Sequence, residues 1–194
     1  GAIEAPEATV DKGDETWMLV STILVLLMII PGLALFYGGL VRSKNMLSVL
    51  MQVFMIFALI SVLWVVYGYS LAFTASNPFI GTLDKLFLKG VTPDSIAATF
   101  SKGVVLPELT FVAFQAMFAC LTVGLIAGAV ADRMKYAAWL VFAGIWAILV
   151  YFPVAHWVFN LAGDNGGWIY KYGVIDFAGG TAVHINAGIA GLVL

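Results

Sequence analysis

Five stretches of this chain carry no Asp, Glu, Lys or Arg: Thr16 to Val41, Asn45 to Leu83, Leu109 to Ala131, Tyr136 to Gly163 and Phe177 to Leu194. About 20 apolar residues in helical form cross the hydrocarbon core of a bilayer, so each stretch holds a candidate span. A backbone in hydrocarbon must satisfy its own hydrogen bonds, which an α-helix does within one segment. The chain is therefore expected to be an all-α polytopic membrane protein with five transmembrane helices, at about residues 16–41, 46–73, 109–131, 136–159 and 177–194. Composition agrees: 62% of residues are hydrophobic and 10% are charged, with a mean hydropathy of +1.03. Soluble domains are roughly 45–50% apolar.

The few charges then set the topology. Residues 1–15 form a polar arm with five acidic side chains and one lysine, leaving 16–194 as the membrane domain. Arg42 and Lys44 sit in a short turn after the first span, and Arg133 and Lys135 in another after the third. Short basic turns stay on the cytoplasmic side, so both turns predict an N-terminus outside. The connection from Thr74 to Glu108, broken by Pro78, Gly81, Gly90, Pro93, Gly103 and Pro107, then lies outside, as does Asn160 to Ile175. The net charge of -2 points to no partner, and nothing resembles a nucleic-acid surface. The chain begins at Gly1 without a basic and apolar leader, and it stops at Leu194 inside an apolar run, which is expected of part of a longer protein. An odd number of spans suits one of two inverted halves, because the second copy then runs upside down.

Packing signals are small residues and helix breakers. Gly124 and Gly128 form a GxxxG, read as close helix approach. Pro31 and Pro153 each remove an intrahelical hydrogen bond and predict a kink or local break. Trp17, Tyr67, Tyr69, Trp157 and Trp168 are expected near the outer interface and Trp139 near the inner one. Cys120, the single cysteine, rules out an internal disulfide or a cysteine metal site and reads as a small buried hydrophobe.

Polar residues inside these spans are few. His184 lies in an apolar helix from Asp176 to Leu192, and an ionisable side chain at such depth is a functional hypothesis by default. Asp176, at the start of that helix, has two compatible readings: a cap on its first turn, or electrostatic help for an arriving cation. Phe118 lies ten residues past Glu108 and His184 eight past Asp176; at 1.5 Å per residue these are depths of about 15 and about 12 Å. Phe114 and Phe118 share one helix face, either as simple packing or as a cation-π platform. His156 reads as a polar group satisfied near the outer interface, too far in depth from His184 to clamp a haem with it. No nucleophile with its base, metal cluster or nucleotide loop appears, so neither an enzyme nor a cofactor is expected.

The run DFAGGTAVHINAGIAGL from Asp176 to Leu192 resembles the signature of the ammonium transporter family, in its Amt branch. Supporting stretches are PGLALFYGGLVRSKN at Pro31 to Asn45, LWVVYGYSLAF at Leu63 to Phe73, VAFQAMFACLTVGLIAGAVADR at Val112 to Arg133 and PVAHW at Pro153 to Trp157. The resemblance implies the first half of an eleven-helix, inverted-repeat fold that assembles as a homotrimer, in the bacterial inner membrane. It implies that ammonium is recruited at an external aromatic vestibule and conducted as ammonia, with or without a relayed proton, through a hydrophobic pore containing a histidine pair. Carried over by motif, Phe118 gates that pore, Phe114 neighbours it, Asp176 supports recruitment with Ala178 beside it, and His184 is the first pore histidine. Phe159 falls where most bacterial members have a tryptophan that receives the cation, and phenyl is a weaker cation-π partner than indole. Trimeric PII signalling proteins that plug bacterial members from the cytoplasm are a further implied partner, facing the basic turns. The alternative is an ammonium sensor, in which the same bundle is coupled to a cytoplasmic signalling module.

Overall fold

The computed structural model describes residues 8–194. Four helices are long and apolar enough to cross a membrane: α1 (Lys12–Leu40), α2 (Ser43–Phe73), α3 (Glu108–Val130) and α4 (Tyr136–Phe159). A fifth, α5 (Gly180–Val193), is apolar but shorter than a spanning helix. It opens at Gly180, later than the charge-free run alone suggests. Gly179 is held at φ 74°, a left-handed conformation that side chains resist, and the helix does not propagate backward through it.

The first helix, by contrast, starts earlier than expected. Asp11 caps it, its Oδ1 accepting from the backbone N–H groups of Gly13 at 2.8 Å and Asp14 at 3.1 Å. Asp14 and Glu15 then lie in the first turn, where negative charge suits the helix dipole. The acidic arm is thus partly helix; its residues 1–7 lie outside the described residues.

Helix α3 is the centre of the bundle and packs against α1, α2 and α5. Its glycines face α1. A Cβ on Gly128 would stand 2.7 Å from the Tyr37 ring, and one on Gly124 would stand 3.4 Å from Leu33. Tyr37 also donates its hydroxyl to the Leu125 carbonyl at 2.7 Å, so the GxxxG surface is a site of close approach reinforced by one interhelical hydrogen bond. On the α2 side, Trp64 donates to the Val112 carbonyl at 3.1 Å, and the buried Cys120 Sγ lies 3.4 Å from Ser61 Oγ. Two of the aromatics expected near an interface are buried in protein. Trp139 is fully buried and stacks on Phe142 at 6.0 Å, and Tyr69 is buried beside Trp64.

Both prolines mark local departures from the α-helix. In α1 a widened π turn covers Met28–Leu33, and Ile30 leaves helical geometry altogether (φ −128°, ψ 108°). In α4 a π turn at Ala147–Tyr151 ends just before Phe152 and Pro153. Proline lacks an N–H and its ring crowds the preceding turn, and widening that turn relieves the crowding. Similar turns occur without proline at Trp64–Gly68 in α2 and at Gly180–Ile185, the opening of α5.

The two ends of the bundle differ. At one, Asn45 donates to Asp132 at 2.6 Å, joining the two basic turns. At the other, the connection after α2 carries a short antiparallel hairpin, β1 (Ile96–Ala98) with β2 (Val105–Pro107), in which Ala97 faces Leu106. This connection is tied to the end of α4. His156 is fully buried, with Nδ1 2.9 Å from the Ala72 carbonyl and Nε2 2.7 Å from that of Asn77. Trp157 donates to Phe79 and the Trp168 backbone donates to Pro78. His156 is therefore a satisfied structural clamp at the loop-bearing end.

Candidate functional site

The loop-bearing third of α3 presents Phe111, Phe114, Gln115 and Phe118, a stripe at helical spacing, toward the mouth of the bundle. Phe114 and Phe118 meet edge to face, with ring centres 4.9 Å apart and planes at 69°. Across from them, α4 ends at Phe159 and the chain returns through Asp176 and Ala178 into α5. Phe114, Phe118, Phe159, Asp176 and Ala178 line one cavity of about 460 Å³. Residues from three separate parts of the sequence are thus brought together.

Asp176 has a definite job in this arrangement. Its Oδ2 accepts from the backbone N–H groups of Thr181 at 2.9 Å and Ala182 at 3.0 Å, capping the first turn of α5 from across the Gly179 bend. The other oxygen, Oδ1, is buried and, among the described residues, has no hydrogen-bond partner. The negative charge of the carboxylate close to several aromatic rings favours a small cation through space, since ring faces also carry negative charge density.

His184 is placed differently. Its neighbour Val183 reaches the cavity, but His184 does not. Its side chain is exposed on the open face of α5, with Ile185, Ile189 and Leu192, and it makes no side-chain hydrogen bond among the described residues. Phe118 lines this cavity and His184 does not.

A second cavity, of about 520 Å³, adjoins the first and shares Phe100, Phe114, Gln115 and Phe159 with it. On its wall the buried Glu108 carboxylate pairs with Lys85 and accepts from the Tyr69 hydroxyl at 2.7 Å. The Lys85 ammonium also stands 5.8 Å from the centre of the Tyr69 ring. With one negative and one positive group in contact, this wall has little net charge, and its effect is to anchor the loop to the start of α3.

Comparison with known proteins identifies the family. The model of the Ammonium Transporter Family matches residues 16–194. The chain belongs to the ammonium transporter family. Among curated relatives it is 52% identical over 200 residues to an ammonium transporter of Mycobacterium bovis, covering 95% of this chain and 42% of that protein. It is 50% identical over 182 residues to an ammonium transporter of Bacillus subtilis, covering 94% of this chain and 43% of that protein. Among solved structures, Candida albicans Mep2 superposes with a TM-score of 0.80 at 36% identity, over 94% of this chain and 38% of that one. A structure described as a sensor Amt protein matches with a TM-score of 0.77 at 25% identity, over 90% of this chain and 41% of that one. The chain thus spans about two fifths of the length of the ammonium transporter family members it matches. It is an integral membrane protein, as its apolar helices and these relatives together indicate.

Sequence reasoning missed Phe100 on the wall of both cavities and Lys85 and Tyr69 on that of the second. Glu108 served only to mark the end of a span, although a carboxylate directly ahead of an apolar helix was a visible signal. Lys85 and Phe100 sit in a segment without periodicity, and no spacing rule points to them.

Proposed function

We propose that this chain is the first half of an ammonium transporter in which the 460 Å³ cavity recruits ammonium from outside the cell. The observation that carries the reading is the meeting of Phe114, Phe118 and Phe159 with Asp176, a carboxylate holding one buried, unpartnered oxygen, on one cavity wall. Ammonium and potassium are alike in size and charge, and a plain cation pore separates them poorly. An apolar passage penalises bare charge, so the substrate that can leave its proton behind crosses as neutral ammonia, and potassium cannot. Phe118 narrows the passage below the cavity and limits water. His184, whose imidazole carries two ring nitrogens, accepts hydrogen bonds from ammonia and relays the proton with a second histidine. That partner lies on an inverted second half, which covers the exposed face of α5.

In this reading the protein has eleven spans, its N-terminus is outside, and it forms homotrimers in a bacterial inner membrane. The basic turns joined through Asn45 and Asp132 face the cytoplasm and are the surface open to a PII-type regulator. The sensor alternative shares the fold, but identity to the sensor structure is 25% against 52% to a transporter, which favours transport.

The test is flux. The full-length protein in liposomes is expected to take up labelled methylammonium, to be competed by ammonium and to ignore potassium. His184→Ala is expected to reduce that flux or to admit potassium; unchanged flux and selectivity would remove the relay role. Saturable binding without any flux would replace transport with sensing.

A further inference from the structure

Phe100 is a large apolar side chain at the tip of the β1–β2 hairpin, and 63% of it is exposed. Burial in the core does not account for it. The tip around it is polar and well held: Thr99 donates to the Val104 carbonyl at 2.8 Å, and the Val104 N–H donates to Ser101 at 3.1 Å. The hairpin itself is fixed, because β2 runs directly into Glu108, whose carboxylate is bound by Lys85 and Tyr69. Hydrogen bonds thus hold the tip on both sides of the ring.

The ring is aimed at the site. Its centre is 6.3 Å from that of Phe159, with the planes at 79°, an edge-to-face contact. It lines both cavities, and within the 460 Å³ cavity it shares the wall with Phe114, Phe159 and Asp176. Phenyl is a weaker cation-π surface than indole, so a site built of phenyl rings gains from each ring added around the cation.

We propose that Phe100 is a further recruitment residue, a hairpin-borne ring that holds an ammonium-class cation together with Phe159 at the entrance of the cavity. The inference rests on the transport reading above and adds to it a part of the site outside the helices. Removing one partly exposed cation-π partner weakens binding by about two- to fivefold.

The experiment is labelled methylammonium uptake by the full-length protein in liposomes, with Phe100→Leu and Phe100→Trp compared. Phe100→Leu keeps the apolar bulk and loses the ring. It is expected to raise KM about two- to fivefold with the maximal rate unchanged, and Phe100→Trp is expected to hold KM at or below the wild-type value. An unchanged KM in Phe100→Leu overturns the proposal while the wild-type protein still transports. Equal losses of maximal rate in both variants also overturn it, because they mark a purely structural ring. A wild-type protein with no saturable uptake overturns the transport reading itself, which separates the two failures.

Discussion

The two oxygens of the Asp176 carboxylate have different surroundings. Oδ2 accepts from Thr181 and Ala182, while Oδ1 is buried without a partner. Asp176→Asn keeps an acceptor for the cap and removes the charge; Asp176→Ala removes both. Loss of such a cap costs about 0.5–2 kcal/mol. Hydrogen exchange at the amides of Thr181 and Ala182 is therefore expected to accelerate in the alanine variant and to stay near wild type in the asparagine variant. If uptake falls in both, the charge on the free oxygen matters to function; if it falls only with alanine, the cap alone does.

At the level of elements, the contact between α1 and α3 is set by which glycine meets which side chain. The two glycines of the GxxxG are not equivalent. An added Cβ at Gly128 falls 2.7 Å from the Tyr37 ring, whereas at Gly124 it makes an ordinary 3.4 Å contact with Leu33. Gly128→Ala is expected to destabilise by about 1–3 kcal/mol, the usual range for overpacking. Gly124→Ala is expected to be close to neutral. Thermal unfolding of the two variants in detergent, side by side, checks the difference, and equal midpoints would show that α1 shifts without cost. The π turns belong to this scale too. Those at Met28–Leu33 and Ala147–Tyr151 lie at or just before the prolines that the sequence marks as breaks. Those at Trp64–Gly68 and Gly180–Ile185 have no such signature.

For the whole molecule, the structure supplies a relation that charge counting only implied. Asn45 and Asp132 touch, so the two basic turns share one end of the bundle, and the hairpin and the end of α4 share the other. Their assignment to the cytoplasm and the outside comes from the positive-inside rule. Cys120 is buried, which leaves engineered surface cysteines as the accessible thiols of this segment. A membrane-impermeant thiol reagent applied to intact cells is expected to label Ser101→Cys and to spare Ser43→Cys. The opposite pattern would invert the topology and with it the direction of recruitment.

What the sequence determined by itself follows from local rules. Charge-free runs become helices because hydrocarbon tolerates no unpaired backbone, prolines break them, and an aspartate ahead of an apolar run caps it. Those rules gave five spans, of which four are long enough to cross a membrane and the fifth is shorter, and they gave the capping role of Asp176; motif resemblance pointed to Phe114, Phe118, Phe159, Ala178 and His184. Tertiary structure decided what meets what. Trp139 and Tyr69 are buried in protein, Phe118 lines the cavity while His184 does not, and a loop ring, Phe100, lines it too. None of these is encoded in spacing along one helix. Each depends on the angle at which separate segments pack, and that angle is set by contacts between residues far apart in the chain, such as Tyr37 with Leu125 and Tyr69 with Glu108.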